Sequence, residues 1–182
     1  MHDVWAVHVV LLGDSIFDNG SYTHGEPDVV AHLRNVLPSG ARATLCAVDG
    51  ATTGGHVRQL GRVPSDATHL IVAIGGNDAL QNTDLLEARV SSTAEALSLF
   101  ADRVEAFEGA YGAALAPVLA LQRPVIVCTI YKGNLEGVRA RLARVALTLF
   151  NDVIVRFGFE HDVPVIDLRL VCCDASDYAH PL

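Results

Sequence analysis

Ser15 stands where an apolar run ends, in the stretch Gly13-Asp14-Ser15-Ile16. A second apolar run ends in Gly75-Gly76-Asn77-Asp78, and Asp177-Tyr178-Ala179-His180 lies near the C-terminus. These stretches supply a hydroxyl, an amide, a carboxylate and an imidazole. A serine hydroxyl is a poor nucleophile until a base takes its proton, and histidine is the side chain suited to that at neutral pH. Asp177 precedes His180 by three residues, a spacing that lets the carboxylate fix the imidazole tautomer and stabilise its cation. Attack on a carbonyl creates an oxyanion, which needs donors already in place. The Ser15 N–H, the Gly50 N–H and the Asn77 side-chain amide are the candidates. Glycine suits the second role because the missing β-carbon lets backbone approach a substrate. Together these parts could cleave an ester through an acyl-serine.

Taken singly, each stretch also reads as ordinary structure. Gly-Asp-Ser can end a strand, and Gly-Gly-Asn-Asp is rich in residues that tolerate left-handed backbone. An isolated histidine is more often structural than catalytic. Their occurrence in this order, each after a predicted strand, favours a site.

The elements that must carry them alternate between two periods. Near-continuous apolar runs at 4–12, 43–48, 69–74, 125–130 and 163–168 predict parallel strands buried on both faces. Between them lie helix-period stretches. Pro27 is placed to open a first helix with Val30, Leu33 and Leu37 on one face, and Val57 and Leu60 mark a short second one. Ser92 and Glu95 have capping-box spacing before the stripe Leu97, Phe100, Val104, Phe107 and Tyr111. Gly109, Gly112 and Pro117 predict a kink or break there. A fourth helix over about 135–157 shows the stripe Val138, Leu142, Val145, Leu149 and Val153. All these stripes are read as core. The alternation predicts a parallel sheet with helices on both faces and right-handed crossovers. In strand order 2-1-3-4-5 the order reverses between strands one and three. Ligands bind at such a reversal, past the strands' carboxyl ends, so Ser15 and Asn77 should flank it. A helix is expected after strand five, yet the sequence stops at Leu182 soon after the histidine, so the final helix of the pattern reads as missing.

Composition narrows the function classes. A chain of 182 residues with 51% hydrophobic content fits one domain over 1–182. Net charge is −8 with a pI near 5.3, and no basic cluster stands out, which argues against nucleic acid as a partner. Arg139, Arg141 and Arg144 read as the solvated face of a helix. Cys46, Cys128, Cys172 and Cys173 lack metal-ligand spacing, and a bridge between adjacent cysteines is strained, so reduced thiols are expected. Residues 1–3 lack the basic start of a signal peptide, and no stretch approaches the ~20 apolar residues that span a bilayer. A cytoplasmic protein with no membrane span is the resulting expectation. Oligomeric state is not legible, although an uncovered sheet face would favour self-association.

Gly13-Asp14-Ser15, Gly75-Gly76-Asn77-Asp78 and Asp177-x-x-His180-Pro181 together resemble the SGNH, or GDSL, hydrolase superfamily over nearly the whole chain. For the glycine block, Asp49-Gly50-Ala51-Thr52 fits best, with Gly54 and Gly55 as alternatives. The resemblance implies a flavodoxin-like three-layer α/β/α sandwich with a five-stranded parallel sheet. It implies esterase, lipase, thioesterase or carbohydrate-deacetylase activity on a small-molecule ester, with no organic cofactor and no metal. It also implies that Asp14 and Asp78, with Asp18 and Asn19, brace the nucleophile loop. The catalytic set is then Ser15, Asp177 and His180, with Ser15, Gly50 and Asn77 as the oxyanion hole. The competing reading is a catalytically inactive binding or scaffold domain on the same fold. A nucleotide binder is disfavoured because no Gly-x-Gly-x-x-Gly or Walker loop is present.

Overall fold

The computed structural model describes residues 7–178. Strands β1 (His8–Gly13), β2 (Arg42–Leu45), β3 (His69–Ala73), β4 (Val125–Cys128) and β5 (Val165–Ile166) form one all-parallel sheet. Their order is β2-β1-β3-β4-β5, as expected, with the reversal between β1 and β3. Among the described residues six α-helices connect and follow them: α1 (Val29–Val36), α2 (Thr53–Leu60), α3 (Gly76–Leu80), α4 (Thr93–Leu119), α5 (Gly137–Glu160) and α6 (Leu168–Val171). Each strand is shorter than the apolar run that predicts it. The runs continue as buried exits from the sheet, such as Cys46 and Ala47, whose N–H groups both donate to the Leu11 carbonyl at 2.8 and 2.9 Å.

Two apolar layers sandwich the sheet. On one side, Phe107, Tyr111, Leu115 and Val118 of α4 and Phe150, Ile154 and Phe157 of α5 pack on Val10, Leu12, Leu70, Val72 and Val127. On the other, Val30 and Leu33 of α1 and Leu168 of α6 meet Val9, Leu11, Ala43 and Cys128. Among the described residues no helix is long and apolar enough to cross a membrane.

Four expectations change. First, α4 runs unbroken from Thr93 to Leu119 with Pro117 inside it. The proline sits in the last turn, so the one lost N–H donor does not interrupt a long hydrogen-bond ladder. Second, Val57 of α2 is exposed, and the buried residues of that helix are Thr53, His56 and Gln59. Third, Val138, Leu142 and Val145 of α5 face outward; its inner face is Phe150, Asn151, Val153, Ile154 and Phe157. Leu97 of α4 is likewise exposed. Fourth, Pro27 does not open α1. Asp28 caps it, its Oδ1 accepting the Ala31 N–H at 2.8 Å.

Candidate active site

Gly13 closes β1 beside Ala73, the last residue of β3, so the two chains leave the sheet side by side. A hydrogen bond of 3.0 Å from Asp14 N–H to Ala73 O extends the ladder by one step. Only glycine fits at 13: its φ is +129°, and a β-carbon would overlap the Ala73 carbonyl. The chain then turns sharply. Asp14 O accepts the N–H groups of Phe17 and Asp18, both at 3.1 Å, and Asp14 Oδ1 accepts the Ile16 N–H at 3.2 Å. Ser15 occupies the turn. Across the reversal Gly75 (φ +118°) leads into α3, and Asn77 lies in its first turn. A β-carbon on Gly75 would come within 2.9 Å of the Phe107 ring.

Ser15 and Asn77 line one cleft of about 200 Å³ together with Asp14 and Gly76. Its deeper walls are apolar, from Leu86, Phe100, Ile130, Leu147 and Phe150, and Lys132 and Arg139 bring the positive charge. The Asn77 amide donates one hydrogen bond to Ala51 O at 2.9 Å, which leaves its second N–H for another acceptor. Gly50 is the residue before that carbonyl, with φ +75°. It does not line the cleft wall. Its loop is held on both sides, however, by the Asn77 bond and by Asp49 N–H donating to Asp18 Oδ2 at 2.9 Å. Neither the Ser15 nor the Gly50 N–H bonds to another described residue. Asn19 Oδ1 accepts the Val29 N–H at 3.1 Å and so steadies the start of α1.

Asp78 points away from the cleft. Its carboxylate accepts the Thr53 N–H (3.1 Å to Oδ2) and the Thr53 hydroxyl (2.5 Å to Oδ1), joining α3 to the start of α2. Asp177 is exposed and lies outside the cleft lining; its Oδ2 accepts the Asp174 N–H at 2.8 Å. His180 lies outside the described residues. The segment leading to it is held at the cleft rim. Tyr178 donates to Cys172 O at 2.7 Å, Lys132 Nζ donates to Cys173 O at 3.1 Å, and the Tyr178 ring lies 5.8 Å from that of Tyr131, a cleft residue. Cys173, Asp174 and Asp177 bring ligand atoms within 4.8 Å of one another, but all three are exposed and the Asp174–Asp177 turn accounts for the spacing.

Electrostatics single out Asp14. Burial lifts its carboxyl from 3.8 to about 6; Asp78 and Asp49 add to the rise, and the N–H groups of Ile16 and Gly76 oppose it. The residue is 7% exposed, directly beside the candidate nucleophile. A shifted carboxyl in a cleft is a common mark of a functional site.

A profile of the GDSL-like lipase/acylhydrolase family matches residues 11–181. The chain belongs to this family. It is a hydrolase acting on ester bonds. Solved GDSL-type structures share the fold. A phospholipase A1 from Streptomyces albidoflavus superposes with a TM-score of 0.69 at 22% identity, covering 94% of this chain and 84% of that one. An extracellular lipase from Streptomyces rimosus gives 0.64 at 22%, covering 92% and 82%. A lipase/acylhydrolase from Enterococcus faecalis gives 0.59 at 19%, covering 91% and 77%. A search of curated proteins found no significant match.

Two residues of this GDSL-family chain escape the motif reading. Gln59 of α2 grips Gly13 at both backbone groups, accepting its N–H (2.8 Å) and donating to its carbonyl (2.7 Å). Asn151 of α5 does the same to Ile130, at 2.7 and 2.9 Å. Each is a buried amide that completes the hydrogen bonding of a residue at a strand exit on the cleft. The available signal was a polar residue on an otherwise inward helix face, Asn151 beside Phe150 and Ile154 above all.

Proposed function

We propose that this acylhydrolase works through an acyl-enzyme on Ser15. The observation that carries the reading is that Ser15 and Asn77, from the exits of two adjacent strands, line one largely apolar cleft. Ser15 Oγ attacks the carbonyl carbon of a carboxylic ester while His180 takes its proton. Asp177 orients the imidazole and stabilises its cation. The negative oxygen is held by the Ser15 N–H, the Gly50 N–H and the free N–H of Asn77. Collapse expels the alcohol, which receives the proton from His180. Water, activated by the same imidazole, then releases the acid and restores the serine. Asp14 and Asp78 hold the two loops that carry Ser15 and Asn77.

One further observation supports this assignment: the backbone N–H groups of Ser15 and Gly50, proposed for the oxyanion, are unclaimed by described residues. The apolar walls favour substrates with hydrocarbon acyl groups over acetylated sugars. Because the cleft of about 200 Å³ is smaller than a typical drug-sized pocket, short to medium chains fit best. The four thiols are unpaired, consistent with a cytoplasmic setting.

Ser15→Ala tests the mechanism. Hydrolysis of short p-nitrophenyl esters is expected to fall by at least about 10³-fold with little change in Tm. Wild-type protein should take a fluorophosphonate label on Ser15. Full activity in the variant removes Ser15 from the reaction.

A further inference from the structure

The outward face of α5 is built for a surface rather than for water. Val138, Leu142 and Val145 are 72%, 47% and 69% exposed, and Leu149 is half-buried behind them. Steps of four, three and four residues place all four on one side of the helix. At about 100° per residue, the cleft-lining residues Ala143 and Ala146 of the same helix lie roughly a quarter to a third of a turn away. Leu80, 62% exposed, lines the same cleft from α3. The apolar strip therefore borders the cleft mouth.

Charge supplies the second observation. Residues 137–148 contain Arg139, Arg141 and Arg144 and no acidic residue, within a chain of net charge −8. None of the three guanidiniums pairs with a carboxylate among the described residues. Arg139 flanks the apolar strip on one side, Arg141 and Arg144 on the other. An exposed apolar stripe edged by arginines matches an anionic lipid surface, where side chains bury in the headgroup region and the cations meet lipid phosphates. A symmetric contact with a second copy fits less well, because each helix would bring its own arginines against those of the other.

We propose that this face of α5 seats the protein on an anionic lipid surface with the cleft mouth at the interface. The acylhydrolase reading matters only to what the seated protein then does; seating itself can be measured without turnover. The Ser15→Ala protein is mixed with vesicles of phosphatidylglycerol and phosphatidylcholine, or of phosphatidylcholine alone, and the bound fraction is read by flotation at 0.1 M salt. Binding is expected to the anionic vesicles and to weaken as salt rises. Val138→Asp with Val145→Asp should lower it at least tenfold. Arg141→Gln and Arg144→Gln should each lower it about five-fold. In the active protein these four substitutions should leave hydrolysis of soluble p-nitrophenyl acetate unchanged, because none of the positions lines the cleft. The positions are exposed, and circular dichroism checks folding. Absence of binding to anionic vesicles, equal binding to neutral ones, or binding unchanged in the aspartate variant overturns the proposal. So does a dimer in sedimentation velocity that the aspartate variant dissolves.

Discussion

Replacing Asp14 by asparagine should stabilise the protein at neutral pH. Its carboxyl has an ordinary value of 3.8 and is lifted to about 6 in the fold, chiefly by burial. Below pH ~4 both the folded and unfolded chains hold the proton, and the site adds nothing. Between about 4 and 6 the unfolded chain has lost it while the folded chain keeps it, so stability falls as pH rises, at close to 1.4 kcal/mol per unit. Above about 6 both are ionised and the loss levels off. The rise from 3.8 to about 6 corresponds to about 3 kcal/mol, without a solvent discount because the residue is 7% exposed. Asparagine resembles the protonated acid: it keeps an acceptor for the Ile16 N–H and carries no charge. Urea unfolding at pH 4, 5, 6 and 7 measures the difference. The two proteins should match near pH 4, and the variant should gain up to about 3 kcal/mol by pH 7, a midpoint shift of more than about 1 M. Esterase activity should fall if the carboxylate helps hold the turn that aims Ser15, so that stability is exchanged for function. A stability difference that does not vary between pH 4 and 7 refutes the argument, because it would mean that Asp14 does not titrate in that window.

Gln59→Leu should destabilise by about 1–3 kcal/mol, because the Gly13 N–H loses its acceptor while the Gly13 carbonyl keeps the Val48 N–H at 3.1 Å. Urea unfolding reads that loss, and kinetics should show kcat falling more than KM rises, since the clamp holds the strand two residues before Ser15. Asn77→Ala should lower kcat by about 10²–10³-fold, the usual effect of removing one oxyanion donor, with KM for p-nitrophenyl esters little changed. An unchanged kcat would leave Asn77 only its bond to the Ala51 carbonyl.

The strands, their parallel direction and the placement of Ser15 and Asn77 just past two of them were legible because each rests on local information. A parallel strand buried on both faces must be apolar almost throughout, and Val9 to Leu12 and Leu70 to Ile74 are. The motifs follow such runs, so the fold's reversal point could be assigned to Ser15 and Asn77 before any coordinates. Helix faces were not legible in the same way. A stripe such as Val138, Leu142 and Val145 states that one side of a helix is apolar; it does not state what lies opposite. Among the described residues that side of α5 meets no partner element, while Asn151 turns inward to complete Ile130. Gln59 shows the same limit in α2. Its partner is the backbone of a residue 46 positions away, and no spacing in the sequence encodes that meeting. Residue chemistry is local and travels with the sequence. Which backbone groups a polar side chain must satisfy depends on how the sheet and helices close on one another, and only the tertiary structure decides it.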